Sequence, residues 1–156
     1  MNGPSPVSIW IDTGGTFTDA VAAGADGTRR SVKILTSGAL RGTVARVLDP
    51  QHLEIRERWQ LIAPRLEGLG FRLLADPGTA CVVGGYDPAT RTLTLDRPLA
   101  QEPAVNAAFE LVSPEPSPLF AARLLTGTPL ATPLPPARLR LATTLGTNAL
   151  LERRGA

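Results

Sequence analysis

A chain of 156 residues, 43% of them hydrophobic, can bury a core of its own as one ordinary domain or two small lobes, without disulfides or a structural metal. Its 16 basic and 14 acidic residues are interleaved and its aromatics are only 4%, which excludes the basic stripe and stacking platform of a nucleic-acid-binding domain. The single cysteine, Cys81, excludes an intrachain disulfide or a thiolate metal cluster, and no apolar stretch approaches the roughly 20 residues of a membrane span.

In chain order, Met1-Asn2-Gly3-Pro4 lacks the basic start and apolar run of a signal peptide, so a cytoplasmic protein is expected. Val7 to Ile11 is a compact run of β-formers, and Thr16 to Ala22 resumes after a glycine pair. Ser31 to Leu35 then alternates as a third strand would, after the turn Ala23 to Gly27. The spacing of Leu40, Val44, Val47 and Leu48 predicts a short amphipathic helix over 39–48, stopped by Pro50. Residues 1–50 therefore read as an antiparallel meander followed by a helix.

Residues 51–128 read as a β-rich middle segment, with short apolar strands broken by Gly68, Gly70, Asp76-Pro77-Gly78 and Asp87-Pro88. Ala80 to Tyr86 and the alternating Thr92 to Leu95 predict a hairpin whose loop, Asp87 to Thr90, has the chemistry of a type I turn. Cys81 falls in the first of these strands and reads as a core thiol. Ala107 to Val112 is a further strand. Ser117-Pro118 opens a helix over Leu119 to Leu125, stopped by Gly127. Residues 129–156 begin as a stiff linker through Pro129, Pro133, Pro135 and Pro136. Leu139 to Ala142 reads as a buried strand, and Asn148 to Arg154 as the first turns of a helix too short to stand alone, the pattern of a truncated chain or split gene product. His52 reads as a surface loop residue, Trp10 and Trp59 as core or edge packing, and Asp87 and Asp96 as turn residues.

The sharpest local feature is Asp12-Thr13-Gly14-Gly15-Thr16-Phe17-Thr18-Asp19, set between two predicted strands. Adjacent glycines allow positive φ and let backbone N–H groups approach a phosphate without a clashing Cβ. Thr13, Thr16 and Thr18 add hydroxyls, and Asp12 at the strand end is placed to hold a hydrated Mg²⁺. It is neither a Walker loop nor a dinucleotide fingerprint. The bland reading is a Gly-Gly hairpin with a capping aspartate. Near the C-terminus, Thr143, Thr144, Gly146 and Thr147 precede a helix pattern whose N-terminus attracts anions, with Thr147 or Asn148 as its cap. Those threonines serve either ligand contact or simple capping. Arg153 and Arg154 fall where cations complement the helix dipole.

The run Ile11 to Asp19 resembles the first phosphate motif of the hydantoinase A and 5-oxoprolinase family, which includes hydantoin utilization protein A. Thr143-Thr144-Leu145-Gly146-Thr147-Asn148-Ala149-Leu150-Leu151-Glu152-Arg153-Arg154 resembles the family's threonine-rich turn and following helix. The resemblance implies an α/β (α+β) fold, a partial ribonuclease-H-like lobe of the actin-like ATPase kind, with the middle segment an insertion or an elaborated part of that lobe. It implies ATP and Mg²⁺ as cofactors and ATP-driven opening of a cyclic amide, 5-oxoproline or a hydantoin, through phosphorylation of the amide oxygen. On that footing Asp12 and Thr144 are catalytic, with Asp12 the metal ligand. Thr13, Gly14, Gly15, Thr16, Thr18 and Asp19 bind the cofactor or support its hairpin, and Thr143, Gly146, Thr147 and Asn148 contact substrate. The site would be completed by the remainder of the chain or a HyuB-like second subunit, and this piece alone would be inactive. A non-catalytic interaction module and part of a small-molecule kinase are the other readings; the C-terminal motif argues against the kinase.

Overall fold

The computed structural model describes residues 6–24, 26–59, 61, 64–76 and 78–143, and nearly all of their regular structure is β. Strands β1 (Val7–Thr13), β2 (Phe17–Ala23) and β3 (Arg29–Leu35) form the expected antiparallel meander. Side chains alternate across a strand, so Ile9, Ile11, Ala20, Ala22, Val32 and Ile34 share one face and are buried. Helix α1 (Ser117–Thr126) covers that face with Phe120, Ala121, Leu124 and Leu125. Pro118 sits in its first turn, and Gly127 ends it in the left-handed region at φ 65°, as the sequence predicts. Strand β10 (Ala137–Thr143) then returns parallel to β1, giving the order β10-β1-β2-β3.

Between β3 and α1 run β4 (Ala39–Asp49), β5 (His52–Arg56), β6 (Gly70–Leu73), β7 (Cys81–Asp87), β8 (Thr92–Leu95) and β9 (Ala108–Val112). They pair in the order β4-β5-β8-β7-β6-β9, and the first half of β4 also pairs with β9. The ring closes on itself, an antiparallel barrel with no free edge among these strands. Its interior holds Leu40, Val44, Leu53, Ile55, Phe71, Val83, Leu93, Phe109 and Leu111, all buried. Phe71 and Phe109 stack at 5.3 Å between ring centres. Both ends of the ring leave it at one point: Ala39 pairs with Val112, and Ser113 N–H donates to Gly38 O at 2.9 Å.

Two expectations are corrected. The helix predicted over 39–48 is strand β4, in which Leu40, Gly42 and Val44 alternate inward. The spacing of four from Leu40 to Val44 is two regular strand steps across the side-chainless Gly42, and the bulge between Val44 and Arg46 adds the residue that makes the next spacing, Val44 to Val47, three. Pro50 marks the tight connection to β5, where Asp49 accepts the N–H groups of Gln51 and His52. The strand expected to be buried over 139–142 is present as β10, but Leu139 and Leu141 are 47% and 65% exposed, because α1, the one helix among the described residues, lies over β1 to β3. The 81–95 hairpin, the buried Cys81 and the strand 108–112 stand as the sequence predicts. Trp59 is core and donates Nε1–H to Arg41 O, whereas Trp10 lies exposed on the outer face of the meander, under the Arg140 guanidinium at 6.0 Å. No helix among the described residues is long and apolar enough to cross a membrane.

Candidate functional site

Every residue of the run Asp12 to Asp19 sits on the β1–β2 hairpin, and register decides what each can reach. Asp12 pairs with Asp19, and Thr13 with Thr18. Because faces alternate, the two carboxylates emerge on the outer face and the two threonines point to the α1 side. Asp12 and Thr13, grouped by the sequence around one ligand, are therefore divided by the sheet.

On the outer face the two carboxylates are directly opposed, an arrangement that is unfavourable unless a cation relieves it. Lys33, the β3 partner of Asp19, supplies one charge with Nζ at 2.8 and 2.9 Å from the carboxylate oxygens. Its ammonium also lies 4.8 Å from the Phe17 ring centre. Asp12 makes no ion pair among the described residues and opens on a shallow groove of about 300 Å³ with Trp10, Asp19, Val21 and Arg140.

The loop between the strands is fixed from below. Gly14 N–H donates to Phe17 O at 2.9 Å, Thr36 N–H to Thr16 O at 2.9 Å, and Thr36 Oγ1 to Gly14 O at 2.9 Å. Gly15 and Thr16 are left as its exposed tip. Positive φ, expected at the glycine pair, occurs among the glycines at Gly27, Gly38, Gly68 and Gly127 instead. Thr18 is fully buried, and its hydroxyl meets Ser117 Oγ at 3.1 Å and Thr36 Oγ1 at 3.5 Å. It braces the hairpin against α1 and does not face solvent. Thr13 is buried beside it, and its Oγ1 has no hydrogen-bond partner among the described residues.

Thr143 ends β10 as the register partner of Thr13, so the second predicted motif begins beside the first. Thr144, Gly146, Thr147 and Asn148, with the helix expected over 148–154, lie outside the described residues. Sequence reasoning missed Lys33, Thr36 and Ser117. Lys33 was legible as the outward residue of an alternating strand. Thr36 and Ser117 carried no such signal, because they reach the hairpin only through the tertiary packing of the β3 end and the start of α1.

Residues 8–62, from β1 through β5 and the segment after it, match the family model described as the hydantoinase/oxoprolinase N-terminal region. No curated protein and no solved structure matches the chain. The matched stretch contains the whole Asp12 to Asp19 hairpin together with Lys33 and Thr36, so this part of the chain is similar to a hydantoinase/oxoprolinase N-terminal region.

Proposed function

We propose that this region supplies the Mg-ATP phosphate hairpin of a cyclic-amide hydrolase that opens 5-oxoproline or a hydantoin. The observation that carries the reading is the opposed pair Asp12 and Asp19 beside a Cβ-less, exposed loop tip, inside the matched segment. This donor set suits Mg²⁺. The described residues hold no group of three or more His, Cys, Asp or Glu, and Mg²⁺ is commonly held by one or two carboxylates, with waters and phosphate oxygens filling the rest. ATP would supply the phosphoryl group that turns a poor amide leaving oxygen into a good one.

The chain's own contributions follow from position. Asp12 orients the hydrated cation. Asp19, half neutralised by Lys33, keeps the local charge from becoming excessive before the cation arrives. Gly14 and Gly15 permit close approach of a phosphate, and Thr16 offers a hydroxyl at the tip. Thr18 and Thr36 hold the loop still, which is what electrostatic stabilisation of a transferring phosphoryl group requires. Thr13 reaches the cofactor only from the α1 side. Thr143, Thr144, Gly146, Thr147 and Asn148 are assigned to the substrate side, with Thr144 acting on the amide. The order β10-β1-β2-β3, with β10 parallel to β1 and α1 across one face, supports a ribonuclease-H-like lobe of the actin-like ATPase kind. A complementary lobe or a second subunit would complete the site, so this chain by itself is inactive.

The test is calorimetric titration of the chain with Mg-ATP and Mg-ADP. With only one lobe's contacts, a Kd of about 1 mM or weaker is expected, about −4 kcal/mol. Binding should require magnesium and disappear in Asp12→Ala. Equal heat in the variant, or binding indifferent to magnesium, defeats the proposal.

A further inference from the structure

The unpartnered hydroxyl of Thr13 borders a groove of about 450 Å³ on the α1 side of the sheet, within the range of small-molecule sites. Thr13 is only 8% exposed, and a buried hydroxyl without a partner is uncommon enough to need a cause. The same groove receives the N-terminus of α1. That helix has Pro116 at its N-cap, no side-chain cap and no acidic residue in its first turn. Pro118 has no N–H, and Phe120 N–H donates to Pro116 O at 3.0 Å. The first-turn donors that remain are the N–H groups of Ser117 and Leu119, at the positive end of the helix dipole. Thr36 and Ser37 add polar wall, Pro116 and Leu141 apolar wall, and among the described residues no charged side chain lines the groove. Two independent features thus converge: an uncapped helix start and a shielded hydroxyl with nothing to bind.

We propose that this groove binds the oxyanion end, carboxylate or phosphoryl, of a small molecule. Thr13 Oγ1 and the first-turn N–H groups of α1 hold the anion, and its apolar body lies against Leu141. The site shares Thr13 with the nucleotide reading but not its magnesium half, since it opens on the opposite face from Asp12 and draws on Ser117, outside the matched residues 8–62.

The test is a ¹H–¹⁵N titration of the full chain with sodium acetate and, separately, sodium phosphate, at ionic strength held constant with chloride. Saturable shifts are expected at the Ser117 and Leu119 amides. Thr13→Val, which removes a hydroxyl that has no internal partner to lose, should weaken binding at least fivefold with the fold retained. Pro116→Asp places a carboxylate on the N-cap and should remove the response altogether, a second readout that does not depend on Thr13. Saturation by acetate alone assigns a carboxylate ligand, and by phosphate alone a phosphoryl one. Shifts that stay linear with both anions, or affinity unchanged in both variants, overturn the site. Asp12→Ala should leave this titration untouched, so the site and the magnesium-nucleotide reading can fail separately.

Discussion

Thr13 and Thr18 face each other across the hairpin, yet only Thr18 has hydroxyl partners. Replacing Thr18 by Val strands Ser117 Oγ in a buried setting, and should cost about 1–3 kcal/mol of stability. Thr13→Val removes an unsatisfied group and should be neutral or stabilising, within about 0.5 kcal/mol of parity or better. Urea midpoints of the two variants would check the contrast; a larger loss at Thr13 would mean that its hydroxyl has an internal role. On the ring, Glu110 is buried and bonded to Arg41 at 2.6 Å and to Arg72 at 2.5 Å. Burial pushes its carboxyl up, but the hydrogen bonds from the two guanidinium groups outweigh it, and the net shift is below the ordinary value of 4.5. A lowered folded pKa means that the unfolded chain binds the proton first as pH falls. The stabilisation is therefore complete above 4.5 and is lost below it, on the way down through the folded pKa. Both arginines are about half exposed, so screening should hold the cost of Glu110→Gln to about 1–2 kcal/mol at neutral pH, less than a fully buried pair. The variant should also flatten the acid limb of stability against pH, measured by urea unfolding from pH 6 downward.

At the scale of elements, the legible strands were those marked by a compact run of β-formers or by alternation: β1, β2 and β3 in the meander, β7, β8 and β9 in the ring, and β10. Strand β4 was not, since its bulges disguise the period and its Gly42 has no side chain to show which face is crowded. Gly42 is nonetheless the tightest position on the strand. A Cβ there would meet Phe109 Cζ at 2.6 Å and Arg56 O at 3.1 Å. Phe109 is fully buried and stacked on Phe71, so it cannot move aside cheaply. Gly42→Ala should destabilise by about 1–3 kcal/mol, and Phe109→Leu should be less harmful in that background than in the native one. A double-mutant cycle in denaturant reads both; strict additivity would show that the crowding is relieved some other way. The hairpin was legible as a motif because its residues are contiguous. Its division into an acidic outer face and a hydroxyl inner face was not, because a one-residue difference in register would exchange them.

The whole molecule places a closed ring inside an open sheet covered on one face by α1, and the sequence shows no boundary where the chain passes from one to the other. Ring closure rests on β4 meeting β9, partners separated by more than fifty residues, which local pattern does not reveal. The family match runs from β1 through β5, so the first two strands of the ring belong to the same recognisable stretch as the hairpin. Geometry nevertheless lets the ring stand apart: its two ends are adjacent at Gly38 and Ser113, it has its own apolar interior, and the meander joins its ladder only through the pair Leu35 and Ala39. Insertions of this kind fold as units when their termini lie close together. Residues 38–113 expressed alone should therefore give a β-type circular dichroism spectrum and one cooperative thermal transition, with stability within reach of a small autonomous domain. A disordered product would show that α1 and the meander are needed to hold the ring shut, and that hairpin and ring form a single folding unit.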